Sequence, residues 1–315
     1  MTPTHGTAAR FYYHTIDMSG YAEQVEQQLS RSLAEYRPLN GDGVIRLPGH
    51  RAARITLTGG ALDGAVGAND EYVWARLAED TERVWAFLPY GDALSRACYC
   101  GQAVGENQQR VAGDDIVRLP VAMVSTYDID RCAILRALAA GGTSPGSTHD
   151  GDAASTNGGA AYLICTAISG AGATLTVTIQ HSVNGSDWES LVAMTALTAV
   201  GSECRAILVS GDLAITGVSI GDDEFVVAGD KTALFPAGMC FVVAGSTGND
   251  GTWQVASASY SALADETTIA VTGDVTNATV DGTLGVGAVR QYLRVSWTLT
   301  GSTPAVTWFA AFGRR

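Results

Sequence analysis

The spacing of apolar residues predicts two amphipathic helices in the N-terminal part of the chain. Apolar side chains recur at every fourth position across residues 19–36, and Ser19 is a residue type that caps helices. A second helix is predicted to begin at Asn69. Asp70 and Glu71 would then lie in its first turn, where acidic side chains interact favourably with the helix dipole.

Short alternating or apolar runs in the same part of the chain predict β-strands. Residues 54–58 alternate with a period of two and end at a pair of glycines. Residues 84–88 form an apolar run that Pro89 interrupts, and residues 116–126 form a third such run. The pattern therefore predicts a β-sheet with one or two packed helices.

The C-terminal half has no helical period and is predicted to form a β-sandwich. Residues 174–180 alternate strictly, with threonines on one face, and the turn pair Asn184-Gly185 follows. Residues 291–299 alternate again. A turn is predicted at residues 301–304, after which a returning strand is predicted over residues 305–312.

One block inside this half, residues 210–286, differs from its flanks in charge. It contains ten acidic residues and one lysine, a net charge of −9, whereas residues 151–209 and 287–315 together have five arginines and four acidic residues. The block also has strand patterns of its own. They lie at residues 224–228, 239–244, 252–256 and 267–272.

These patterns predict three parts. They are an N-terminal domain over residues 1–145, a β-sandwich over residues 146–209 and 287–315, and an inserted acidic β module over residues 210–286. The small, glycine-rich stretch 139–159 between the halves is interpreted as a linker or a long ordered loop.

Composition narrows the possible function classes. The 315 residues include 37 glycines but only 16% charged residues, which is typical of a turn-rich, mostly β protein. The net charge of −13 argues against a general nucleic-acid or anionic-membrane binder. Lys231 is the only lysine, so a phosphate-binding P-loop is excluded. The polar first residues and the lack of an 18-residue apolar run predict neither a secretory signal nor a membrane span.

The sequence contains no recognisable catalytic, cofactor or metal site. No two histidines are spaced i, i+4, no Gly-x-Ser-x-Gly motif occurs, and the acidic run at residues 222–224 lacks the spacing of a calcium loop. The six cysteines predict reduced thiols. Four tryptophans could form a sugar-binding platform, although core packing is the favoured interpretation; they are Trp188, Trp253, Trp297 and Trp308.

Several segments resemble structural proteins of long-tailed bacteriophages. Residues 17–21 (DMSGY) and 47–63, followed by the predicted helix and the strand ending at Leu88-Pro89-Tyr90-Gly91, resemble the opening of tail tube (major tail) proteins. Residues 21–36 depart from that family, which tends to be extended where the periodicity predicts a helix. The order of elements in the family is the stronger expectation.

The C-terminal half carries a second set of resemblances. Residues 174–188, 291–295 and 306–314 resemble the sandwich domain found at the C-terminus of some phage tail proteins, which is Ig-like or carbohydrate-binding-like. Residues 235–253 resemble a small β module inserted in phage structural proteins. The resemblance implies a mainly β fold class: an N-terminal tail-tube β-sandwich or barrel with a packed α-helix, plus a C-terminal sandwich carrying an inserted module.

The resemblance also implies a function, partners and a location. A tail tube subunit is a structural virion protein, not an enzyme, that assembles into stacked rings and forms the conduit for DNA ejection. The rings would be hexamers or trimers that imitate six-fold symmetry. The other implied partners are the tape measure, terminator and distal tail proteins, passing phage DNA without specific binding, and surface glycans. No cofactor, metal or membrane is implied, and assembly would occur in the bacterial cytoplasm.

One contact site is proposed from the sequence. Residues 1–16, with Phe11, Tyr12 and Tyr13, are a candidate inter-ring contact arm, and the alternative is a disordered tail or an ordinary first strand. Two other functions stay open. One is a capsid decoration protein or distal-tail adaptor with a glycan-binding sandwich, and the other is a glycan hydrolase whose carboxylates are not recognisable in the sequence.

Overall fold

The computed structural model describes residues 8–36, 45–60, 69–77, 79, 81–112, 117–126, 129–142, 144–210 and 212–315. The predicted mainly β fold class is confirmed. The chain divides into two compact units. The first consists of Met1–Asp92 and Cys98–Arg131, and the second of Ala93–Ala97 and Cys132–Arg315.

The first unit is an antiparallel sheet with one packed helix, α1 (Asn69–Leu77). Its strands are β1 (Arg10–Tyr13), β2 (Ile16–Asp17), β3 (Gln24–Tyr36), β4 (Ile45–Thr58), β5 (Arg83–Leu88), β6 (from Ala97 to Gln108), β7 (Val111–Ala112), β8 (Val117–Arg118) and β9 (Val121–Ser125). Seven of them pair in the order β3-β4-β9-β6-β5-β1-β2, while β7 and β8 pair with each other.

The helix predicted over residues 19–36 is wrong, because most of that segment is strand β3. Val25 and Leu29 lie four residues apart, and a four-residue spacing places side chains on one face of a strand as well as of a helix. Antiparallel pairing with β4, from Gln24 opposite Thr58 to Tyr36 opposite Ile45, decides between the two. The extended conformation that the resemblance implies for this segment is the one observed.

The helix predicted to begin at Asn69 is confirmed as α1, and the strand predicted at 84–88 is confirmed as β5. Val73 of α1 is buried in the core of the unit. The Tyr72 hydroxyl lies 2.9 Å from the Thr15 hydroxyl and accepts the Thr15 backbone N–H at 3.0 Å. The helix is therefore held against the turn between β1 and β2.

The second unit contains the remaining strands. They are β10 (Asp130–Ala140, within this unit from Cys132), β11 (His149–Asp150), β12 (Gly159–Ser182), β13 (Glu189–Ala193), β14 (Gly201–Ile207), β15 (Leu213–Ser219), β16 (Glu224–Ala228), β17 (Cys240–Ala244), β18 (Gly251–Ser261), β19 (Glu266–Val271), β20 (Thr283–Gly285) and β21 (Tyr292–Arg314).

Two very long strands, β12 and β21, pair along almost their whole length and build the sandwich. The first half of β12 pairs with β14 and its second half with β13, while β21 pairs with β11 near its start and β10 near its end. The turn predicted at residues 301–304 is therefore wrong. Gly301 and Thr303 have positive φ angles, and they lie where the register between β12 and β21 shifts at two bulges, one in each strand, instead of reversing the chain.

The stretch 139–159 is an ordered loop in its described residues, which settles the choice left open above. Gly146 and Gly151 donate backbone hydrogen bonds to Val295 and Gln291, and Ser155 exchanges two with Val289. Residue 143 lies outside the described residues. The loop is thus attached along the sandwich by main-chain hydrogen bonds, which glycine-rich composition alone did not indicate.

Six strands of the second unit close into a barrel in the order β15-β16-β19-β18-β17-β20. They come from the acidic block, and its four predicted strands are confirmed as β16 to β19. Phe225 and Phe241 are fully buried in the barrel, and their side chains belong to the same hydrophobic core as those of the sandwich. The three-part domain division made from the sequence stays a prediction.

Candidate functional site

The aromatic residues of the candidate inter-ring arm are buried within the first unit. Phe11, Tyr12 and Tyr13 form β1, which pairs with β2 and β5, and no more than 3% of each side chain is exposed. Burial raises the pKa of Tyr12 above its ordinary value. The segment is therefore a strand of the sheet from Arg10 onward, while residues 1–7 lie outside the described residues.

Two structural observations bear on the metal and membrane expectations. The described residues hold no group of three or more His, Cys, Asp or Glu side chains arranged to bind a metal ion. In that same part of the chain, no α-helix is both long and apolar enough to cross a membrane.

The four tryptophans considered as a sugar platform lie in different places. Trp297 and Trp308 pack edge to face in the sandwich core with 5.3 Å between ring centroids, and the Arg136 guanidinium lies over both rings. Trp188 is half-buried beneath Arg294, and Trp253 is half-buried on the barrel. Core packing therefore explains Trp297 and Trp308, and no common platform is formed.

The most prominent assembly feature of the first unit is the hairpin of β3 and β4, named here the hairpin arm (residues 24–36 and 45–58). Among the described residues, β4 pairs with β9 through residues 54–57 only, and residues 45–53 have β3 as their sole partner strand. At about 3.3 Å per residue, those nine residues extend for about 30 Å as a two-stranded ribbon. Such a ribbon is marginally stable by itself.

The outer edge of the hairpin arm is unpaired in the described part of the chain. Strand β3 has β4 as its sole partner there, so one row of its backbone N–H and C=O groups lacks a neighbouring strand. Gln28, Leu29 and Ser30 are all exposed, and 62% of Leu29 is accessible. A long strand edge with an exposed leucine is a surface that pairs readily with another chain.

A second site is a cavity of about 500 Å³ in the second unit. Strand β13 of the sandwich and strands β17 and β18 of the barrel line it, together with residues 272–274. Glu189, Asp250, Trp253 and Asp274 are among its lining residues. Trp253 is a candidate binding residue in the sequence, but the cavity is not predictable from it, because the lining residues come from segments up to 85 positions apart.

A charged cluster borders this cavity and fixes Glu189. The Arg290 guanidinium donates to Glu189 at 2.6 Å, and the Thr252 hydroxyl also donates to it. Burial alone would raise the pKa of Glu189, but these two hydrogen bonds lower it overall. Glu189 therefore stays ionised and joins the sandwich to the barrel.

His181 lies next to this cluster and is neutral at physiological pH. It is 4% exposed, and its Nδ1 accepts the backbone N–H of Arg290 at 3.3 Å. Burial and the nearby Arg290 and Arg314 charges lower the pKa of His181 to about 4, against a smaller opposing effect of Glu189. Protonation would therefore replace a hydrogen-bond acceptor with a buried charge.

We expect acid sensitivity that depends on His181. Because the folded-state pKa lies below the unfolded value of about 6.5, the unfolded state binds the proton first as the pH falls. The free energy of unfolding should therefore drop by about 3 kcal/mol from this residue between about pH 6.5 and pH 4. Urea denaturation across this range should show a shallower pH dependence for His181→Asn, which keeps an acceptor. Equal slopes for the two proteins would contradict the assignment.

Comparison with known proteins finds no matching family model and no matching curated protein. Solved structures with partial similarity include a tail of an empty gene transfer agent particle, at 13% identity and TM-score 0.32, covering 41% of this chain and 98% of that one. A sheath–tube complex of an extracellular contractile injection system has 16% identity and a TM-score of 0.33, and the alignment covers 42% of this chain and 92% of that one. The Dit protein of phage SPP1, a paradigm of the hub adsorption apparatus, has 8% identity and a TM-score of 0.33, and the alignment covers 96% of this chain and 98% of that one.

Proposed function

We propose that this chain is a structural virion protein that assembles into stacked rings and forms a phage tail tube. The observation that carries the proposal is the hairpin arm, which extends about 30 Å beyond its last contact with β9 and whose strand β3 has no second partner strand among the described residues. A ribbon of this kind gains stability when a neighbouring copy pairs with it. Repeated head-to-tail pairing closes a ring, and stacking extends it.

The charge of the chain fits the passage of DNA through such a tube. A net charge of −13 with one lysine repels phosphate groups, so DNA would slide without specific binding. The acidic block accounts for −9 of this charge. Tape measure, terminator and distal tail proteins would be the other partners, and the protein would be located in the virion tail after assembly in the host cytoplasm.

The inter-ring contact by the N-terminal arm stays a proposal from the sequence. Phe11, Tyr12 and Tyr13 are buried in β1 inside the unit, so a contact with a second ring would need a surface other than these three side chains.

Electron microscopy of the full chain in negative stain, across a range of protein concentrations, tests the proposed function. Rings or hollow tubes that increase with concentration are the expected result. A population of monomers or trimers at all concentrations would favour a capsid decoration protein or distal-tail adaptor instead. Release of sugar from bacterial wall polysaccharide by the same preparation would favour the hydrolase.

A further inference from the structure

We propose that the cavity between β13 and the barrel binds an amino sugar, a pyranose ring that carries a free ammonium group. The cavity has a volume of about 500 Å³, which lies in the range of about 300–1,000 Å³ for small-molecule sites. Its wall combines an aromatic ring, carboxylates and neutral hydrogen-bonding groups. This site is independent of the hairpin arm, and its ligand does not follow from tube assembly.

The aromatic wall is the half-buried indole of Trp253. Its Nε1 donates to the Asn249 carbonyl at 2.9 Å, and Phe225 packs edge to face against it at 5.2 Å. A Cβ added to Gly273 would lie 3.4 Å from Cζ3 of this indole, so the glycine keeps that ring edge uncovered. A fixed, accessible indole can pack against the apolar C–H face of a sugar ring or a nearby cation.

The charge of the cavity selects the ligand. Glu189, Asp250 and Asp274 line it, and no basic side chain does so among its described lining residues. Arg290 compensates the charge of Glu189, so the negative charge that a ligand would meet comes from Asp250 and Asp274. A phosphate or a uronic acid would be repelled here, whereas an ammonium group would be attracted to the carboxylates and to the indole.

A metal ion is a poorer occupant than an organic cation. The carboxylates do not converge on a metal position, as stated above for the described residues. Cys240 also lines the cavity, and burial raises the pKa of its thiol to about 12, so it is not a thiolate ligand at neutral pH.

Neutral polar groups complete the site for a sugar. Ser190, Gln254 and Thr272 line the same cavity and supply hydroxyl and amide groups. Such groups can exchange hydrogen bonds with the several hydroxyls of a sugar. A simple alkylammonium ion has no comparable set of hydroxyls. The combination with Trp253 therefore favours an amino sugar over a small quaternary ammonium ion.

Isothermal titration calorimetry on the full chain tests the proposal with four probes. They are the β-1,4-linked glucosamine disaccharide, its N-acetylated form, glucuronic acid and choline. We expect the glucosamine disaccharide to bind at least about fivefold more tightly than the other three. Absence of binding by the glucosamine disaccharide at millimolar concentration would overturn the proposal, and so would equal binding of the acetylated disaccharide or of choline.

Three variants locate the binding. Gly273→Val fills the cavity in front of the indole at a position without positive φ, and should weaken binding by more than tenfold. Gly221→Val is the control, because a Cβ at this barrel glycine meets no atom within 4 Å, and it should leave binding unchanged. Asp274→Asn keeps the shape, and should reduce binding of the glucosamine disaccharide about threefold, as for an exposed ion pair.

The variants can also refute the location. Binding that survives Gly273→Val, or that falls equally in Gly221→Val, would place the ligand elsewhere and overturn the assignment. Thermal unfolding of each variant shows whether reduced binding comes from a changed cavity or from an unfolded protein. Tube formation is scored on the same samples, so failure of sugar binding and failure of assembly remain distinguishable.

Discussion

The substitution Leu29→Asp is expected to weaken assembly while leaving the subunit folded. Leu29 is 62% exposed on the unpaired edge strand of the hairpin arm. Burying a leucine in an interface stabilises it by about 1.5–3 kcal/mol, and that contact is lost in every subunit of the ring. The critical concentration for rings or tubes should rise by at least about tenfold.

The control for this change is another exposed leucine. Leu263, in the turn between β18 and β19, is fully exposed on the barrel, and Leu263→Asp should assemble as the unchanged chain does. Both variants should unfold within about 1 kcal/mol of the parent, as surface substitutions usually do. Pelleting assays and electron microscopy measure assembly. Tubes formed normally by Leu29→Asp would refute the role of the hairpin arm.

Removing the Phe225 ring is expected to be the most destabilising substitution in the barrel. Phe225 is fully buried and packs edge to face against Phe241 and Trp253, with centroid distances of 6.0 and 5.2 Å. Phe225→Ala should reduce the free energy of unfolding by about 3–5 kcal/mol, because it leaves a cavity in a shared core. The change is measured by urea denaturation.

An exposed residue in the turn between β15 and β16 provides the comparison. Ile220 is 54% exposed in the turn before β16, and Ile220→Ala should change the free energy of unfolding by less than about 0.5 kcal/mol. Similar losses for the two substitutions would mean that the barrel core does not depend on Phe225. Because Trp253 packs on Phe225, the first substitution should also weaken sugar binding.

The two candidate sites differ in how far the sequence could predict them. The two strands of the hairpin arm lie close together in the sequence, but the four-residue spacing around Val25 and Leu29 predicts a helix there. The cavity unites Glu189 with Asp274, and no local pattern relates positions so far apart. Trp253, which follows Asp250 and Gly251 in the chain, is the cavity residue that the sequence indicates as a candidate for sugar binding.

Local sequence patterns are sufficient to predict the mainly β class, helix α1 and four of the six strands of the acidic block, β16 to β19. Those features depend on alternation, turn residues and charge within short segments, which local physics specifies. The periodicity of residues 24–36 and the turn residues at 301–304 mispredict both segments, which lie within strands β3 and β21. In both cases the partner strand, β4 or β12, supplies backbone hydrogen bonds, and that pairing outweighs the local preference.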